Sequence, residues 1–462
     1  GTTFNNGTGA AAFSATQTLL GSSSMIFGGS VTPAVSTTLT NSNSATVTIN
    51  NLVLTGNFTQ GLNTPTLTVT NATPFSGGGV FDASTNTNTV SYTGSNQPIR
   101  STTYSSLTVN GVGSATVGGT TTVNGTMTVS SSVTNNNTLT VTTALSGGSS
   151  LIQGVGSTLN IDGTSGITTL DANSNVNTVN YTGTAQTVKA VAYRTLGLNG
   201  SGLKTMTGVT TINGGLTIGG TASATAGASL TISGTVTLGS GTTFTAGAFT
   251  HNITGDWINN GATFNNAGST INLNGAAQSI GGSSSTTFNN LILDGSNTKT
   301  FNIAAFTAGD LAINGVVANL NTFTIHTAFT LTLDGSSQVA GTWGITSSAA
   351  TNQNNTYFTA GTTGILTVAY KAPITYYSRQ TGNWSAPATW STVTYANATN
   401  TGTFPIAGDI VNIGGGDFVI SVNVNSACAS LSFQGNATNT TSVSLNTVGR
   451  TLDVSGRITL TM

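Results

Sequence analysis

Along most of this chain apolar residues alternate one for one with Thr, Ser and Asn, as in SATVTINNLVL (44–54) and TTTVNGTMTV (120–129). A period of two sends successive side chains to opposite sides of an extended backbone, so each stretch predicts a strand with one buried and one wet face. The stretches are short and are punctuated by Gly, Asn or Ser. Thr, Val, Ser, Asn and Gly dominate, and all 10 acidic residues are Asp, so the strong helix formers are scarce. An all-β fold with almost no helix follows.

The alternation is organised by repetition. NTVSYTGSNQPIRSTTYSSLTVNG (88–111) aligns without a gap on NTVNYTGTAQTVKAVAYRTLGLNG (177–200), an offset of 89 residues. Tyr92 matches Tyr181, Gln97 matches Gln186, Tyr104 matches Tyr193, Leu107 matches Leu196 and Asn110 matches Asn199. Asp82 and Asp171 share the register. Looser copies of the Gln-centred step occur in FSATQTLLGSS (13–23) and LNGAAQSIGGS (273–283), and apolar strands ending in Asn-Gly or Asp-Gly follow, as in NNLILDG (289–295). Self-similarity of this kind marks stacked or tandem modules rather than a single-core enzyme.

About nine short strands fit one unit, which suits two architectures. A parallel β-helix, or β-solenoid, would use roughly three strands per coil with rungs ~4.8 Å apart. Tandem immunoglobulin-like β-sandwich modules would use seven to nine strands in about 100 residues each. The solenoid is the better match, because only 7 Pro occur, no unit boundary reads as a linker, and none of the 4 Trp falls in the first two units. Residues 1–370 read as the array. At 371–462 the texture changes: KAPITYYSRQTGNWSAPATW opens a distinct module on aromatics before alternation resumes.

Composition narrows the function classes. Nine Lys+Arg and a net charge of −1 supply no basic cluster, which argues against nucleic acid and anionic membrane surfaces. No apolar run approaches the ~20 residues of a spanning helix, so no membrane insertion is expected. The single Cys428 rules out an internal disulfide framework and reads as a buried hydrophobe. GTTFNN at the start matches GATFNN (261–266), which lies inside a unit, and neither end reads as a polar cap, so continuation into further chain or contact with another copy is expected.

Candidate chemistry is sparse. The Asp residues sit mainly at turns beside Gly or at strand ends, without the paired spacing of a glycan-cleaving groove, and no catalytic residue is assigned. His251 and His326 lie 75 residues apart without the neighbours of a zinc site, and GGG at 77–79 and 414–416 lacks the helix and Lys of a phosphate loop. No cofactor is expected; calcium at a turn pair such as Asp162-Gly163 is a minor reading. Thr-x-Thr runs, TLTVT at 66–70 and 138–142, could order water or ice. The repeated Tyr92, Tyr104, Tyr181 and Tyr193, with Trp384 and Trp390, are the candidate glycan-stacking aromatics. An internal aromatic stack across rungs is the alternative.

HNITGDWINNGATFNNAGSTINLNGAAQSIGG (251–282), the FNNLILDG that follows, and YYSRQTGNWSAPATWS with GDIVNI and ACASLSF resemble repeat modules of very large type IX-secreted surface adhesins and filament proteins of Bacteroidota. That resemblance implies a secreted, cell-surface location and a structural stalk. The partners it implies are other copies, further segments of a longer chain, or surface glycans.

Overall fold

The computed structural model of this protein describes residues 3–266, 268–359, 363–369, 374–397, 404–406, 408–414, 418–434, 444–446 and 450–461. It is a β-solenoid of about 21 turns, almost entirely parallel, with one short 3₁₀ turn at Pro387–Thr389 among the described residues. A representative coil runs Ser106–Val109 on a first face, Ser114–Val117 on a second and Thr121–Val123 on a third, after which Thr126–Val129 stacks in parallel on the first. Parallel registers such as these exclude the sandwich alternative. Within the coils, Asn-Gly and Asp-Gly pairs such as Asn110-Gly111 and Asp294-Gly295 are corners between faces, whereas Asp334-Gly335 closes a two-residue hairpin.

The alternation becomes burial directly. Thr66–Val69, Thr126–Val129 and Thr158–Ile161 all show half-exposed Thr or Asn alternating with buried Leu, Met, Val or Ile. Stacked register then gives each buried residue its like above and below, so Val69, Tyr92, Val109 and Val129 form one interior column. The whole set joins one apolar core from Leu19 to Val368. Each coil alone would expose both edges of its sheets; its neighbours supply the missing hydrogen bonds and apolar cover.

The coil and the sequence repeat have different periods. Thr178–Tyr181 is the fourteenth strand after Thr89–Tyr92, and with the bridged position at Tyr193 counted, Thr270–Leu273 is the fourteenth after that. Fourteen is not a multiple of three. Each copy of the motif is therefore turned by a third of a revolution about the axis: Tyr92 starts on the first face, Tyr181 on the third, and Leu273 on the second. Asp82 and Asp171, expected to stack along one edge, are separated onto the third and second faces for the same reason.

Regular coiling stops after His326–Leu333. Ser336–Ser337 turns back antiparallel on that strand, and Gly341–Gly344 lies antiparallel to Leu366–Val368, which itself adds in parallel to His326–Ala328. Trp343, Ile345 and Phe358 bury themselves in this segment, and Phe358 bridges Ala318. This segment thus continues the sheet of the last coil partly with strands of opposite direction.

A second, separate core follows, built on Tyr376, Trp384, Trp390, Val411, Ile413, Ile420, Val422, Cys428 and Leu431. Its strands are again mainly parallel, with Thr375–Ser378 beside Ile410–Gly414 and that beside Ser430–Gln434. The proposed boundary at 370/371, Asp417 and the last two glycines of GGG 414–416 lie outside the described residues.

Candidate functional site

The best-built polar site is the repeated corner, and the glutamine makes it. Gln97 Nε2 donates to the carbonyls of Val69 (3.1 Å) and Asn71 (2.7 Å) on the preceding coil, while its Oε1 accepts the Gly94 amide (2.8 Å). Gln186 repeats this with Ile161, Gly163 and Gly183 at 2.8, 2.8 and 2.9 Å. Gln278 does so with Ile253, Gly255 and Gly275. All three side chains are buried, so each satisfies groups that a tight corner would otherwise leave unpaired. Glycine is required where the chain closes over itself: a Cβ on Gly111 would sit 1.9 Å from the Gly94 carbonyl oxygen.

The tyrosines serve the same corner. Tyr92 and Tyr104 meet edge to face with hydroxyls 2.7 Å apart; Tyr92 Oη accepts the Arg100 amide (3.0 Å) and Tyr104 Oη donates to the Arg100 carbonyl (2.7 Å). Tyr181, Tyr193 and Lys189 repeat the arrangement at 3.0, 2.9 and 2.7 Å. Burial pushes the Tyr92 phenol up to about 12, and raises Tyr181 as well. Burial and the partner hydroxyl hold Tyr104 and Tyr193 well above the ordinary value.

All four tyrosines are fully buried, so none offers a ring face to a sugar. They pair within a coil and do not stack from copy to copy. Trp384 and Trp390 are buried too, edge to face at 5.2 Å, with indole N–H groups donating to the carbonyls of Pro405 and Trp384. They hold the second core together.

Other singled-out residues have local structural partners. Asp82 Oδ1 accepts the Ser84 amide and hydroxyl, and Asp171 Oδ1 accepts the amides of Asn173 and Ser174, both turn-closing roles. His251 Nδ1 accepts the Leu230 amide while Nε2–H donates to the Ala246 carbonyl; His326 does the same with Ala305 and Leu320. Both rings are thus fixed as the Nε2–H tautomer, and burial lowers both pKa values. Burial, with Asp409 and Asp453, raises the Cys428 thiol to about 11, far from a reactive thiolate. Among the described residues no group of three or more His, Cys or Asp converges on a point.

The Thr runs fall on different faces: Thr66–Val69 on the first, Thr138–Val141 on the third. A hydroxyl column does stack on the first face, through Thr68, Ser91, Thr108, Thr128 and Ser146, all half-exposed except the buried Ser91. A cleft of about 290 Å³ is lined by Phe329, Val339, Val368, Ile406, Cys428 and Asp453, and contributes one carboxylate.

Sequence reasoning missed the two buried lysines at the corner, Lys204 and Lys299. Their signal was present in the aligned NGSGLK (199–204) and DGSNTK (294–299), where a Lys stands at an inward position of a strand. Burial lowers both, Lys299 to about 8, while Asp162 and Asp294 oppose the shift. No family model matches this chain, and no curated protein or solved structure matches it either.

Proposed function

We propose that this chain is a structural segment of an extracellular bacterial surface adhesin or filament, acting as a stiff stalk. The observation that carries the reading is the use made of the repeated polar and aromatic residues. Gln, His and Lys side chains, which a binding or catalytic surface would present, point inward and join one coil to the next, and the buried Tyr pairs brace a coil from within. What the repetition preserves is the joints rather than a groove.

In-register parallel ladders resist bending, because any curvature must stretch backbone hydrogen bonds on one side of three faces at once. About 16 rungs at ~4.8 Å give the first core a length on the order of 80 Å. A side-chain surface dominated by hydroxyls and amides leaves that stiffness almost independent of salt. Electron microscopy of the purified chain should show straight rods whose length does not change between low and high salt. Compact globules, or beads on flexible connectors, would remove the stalk reading.

A further inference from the structure

Of the corners built on Gln97, Gln186 and Gln278, the second and third bring a lysine amine against the glutamine carboxamide inside the core. Lys204 stands in register beside Gln186 and Lys299 beside Gln278, each from the next coil. Lys204 Nζ lies 2.7 Å from Gln186 Oε1 and Lys299 Nζ 2.7 Å from Gln278 Oε1, and all four side chains are buried. The other donors of each ammonium go to backbone carbonyls, those of Gly183 and Thr184 in one corner and of Gly275 and Ala276 in the other.

The bonds on each carboxamide are those that an acyl transfer needs. Its oxygen accepts a backbone amide, Gly183 at 2.9 Å or Gly275 at 2.7 Å, a fixed donor of the kind that stabilises charge developing on that atom. Its nitrogen faces two carbonyls, Ile161 and Gly163 or Ile253 and Gly255, which favour the extra proton this nitrogen must carry in order to leave. Burial lowers both lysines, Lys299 to about 8, and so makes the neutral, nucleophilic amine accessible near neutral pH. One carboxylate acts on each ammonium, Asp162 on Lys204 and Asp294 on Lys299, and supplies a proton acceptor.

We propose that Lys204 joins Gln186, and Lys299 joins Gln278, in isopeptide bonds that tie consecutive coils covalently. The ammonium first gives one proton to the carboxylate. Rotation about the last bonds of the lysine then carries Nζ from Oε1 to the face of Cδ, where its lone pair forms the new C–N bond and the C=O pair moves onto Oε1, held by the glycine amide. A proton passes from Nζ to Nε2, the carbonyl re-forms, the Cδ–Nε2 bond breaks, and ammonia leaves with the proton stored on the carboxylate. No oxidant or further reactant is consumed. The first corner is an internal control, because NGVGSA (110–115) aligns on NGSGLK (199–204) with Ala115 in place of the lysine, and Gln97 stays a free carboxamide. This inference holds whether or not the chain is a stalk.

The direct test uses the unmodified chain. Once folded and then denatured for intact mass spectrometry, it should weigh the sequence mass less one ammonia per bond, and digestion should release branched peptides joining Gln186 to Lys204 and Gln278 to Lys299, with Gln97 unlinked. Lys299→Arg, which keeps the charge and the donors without a comparable nucleophile, should halve the deficit. Asp162→Asn should slow the first bond by about a hundredfold, the share a positioned proton acceptor supplies, and leave the second unchanged. A folded chain that keeps the full sequence mass after long incubation above pH 8 overturns the proposal. An ammonia deficit without those branched peptides overturns it too, because succinimide formation at Asn-Gly loses the same mass.

Discussion

The corner around Gln186 and the corner around Gln278 have the same backbone and different interiors. In the first, Tyr181 and Tyr193 bring two hydroxyls into the core and satisfy them on each other and on Lys189. In the second, Leu273 and Phe288 stand in their places, and Trp257 on the preceding coil fills the space, 5.4 Å from Phe288 and 4.8 Å from Phe264. The Trp257 indole N–H is satisfied by Thr286 Oγ1 at 3.1 Å. The glutamine staple and the lysine ammonium are unchanged. What is kept from copy to copy is the set of bonds that closes the turn; what fills the coil is free to vary so long as volume is conserved and every buried donor finds an acceptor.

The difference between the two interiors is broken most severely at the indole. Trp257→Ala should destabilise the third corner by about 3–5 kcal/mol, as aromatic truncations in tight cores do, because Phe264 and Phe288 lose their common neighbour. Amide hydrogen exchange should localise the loss to strands Trp257–Asn259, Thr263–Asn265 and Thr286–Phe288 while the Tyr181 corner stays protected. Uniform loss across both corners would show that the coils do not store stability locally.

Replacing the staple comes next. Gln97→Leu should cost about 1–3 kcal/mol, the penalty for stranding buried carbonyls and an amide. Gln278→Leu should cost more, because Lys299 loses an acceptor while its charge stays buried. Denaturation midpoints of the two variants decide it. Equal losses would mean that the lysine draws nothing from the glutamine.

The histidines give the smallest effect. Both ring pKa values fall below the ordinary 6.5 on folding, so between that value and the folded one the unfolded chain binds more protons. Stability is therefore full above pH 6.5 and is lost as pH drops beneath it, when Nδ1 must accept a proton against a backbone N–H. A denaturation midpoint unchanged between pH 7 and pH 5 would contradict the bonding assigned to His251 and His326.

Much of this was legible in the residues. Alternation in SATVTINNLVL (44–54) marked strands and their inner faces, since a pleated backbone leaves no other periodicity. The gapless match of 88–111 on 177–200 marked Gln97 and Gln186 as equivalent, and they are. The role of the tyrosines was not legible: an aromatic with a hydroxyl reads equally as a binding platform or a buried joint until its partners are seen. Nor were the antiparallel pairings at 336–337 and 341–344, because such short strands carry no mark in the residues of the direction in which they pair.

By itself, then, the sequence determined an all-β repetitive chain and which residues recur in it, because side-chain alternation and local turn chemistry are properties of neighbours along the backbone. Only the tertiary structure decided which face each copy occupies. Up to His326–Leu333, adjacent coils are joined at register spacings from 17 to 23 residues, so no fixed count along the chain reveals where a turn closes. Closure is set by stacking against the coil before, and with fourteen strands per repeat and three faces per turn, that stacking rotates every copy of the motif away from the last.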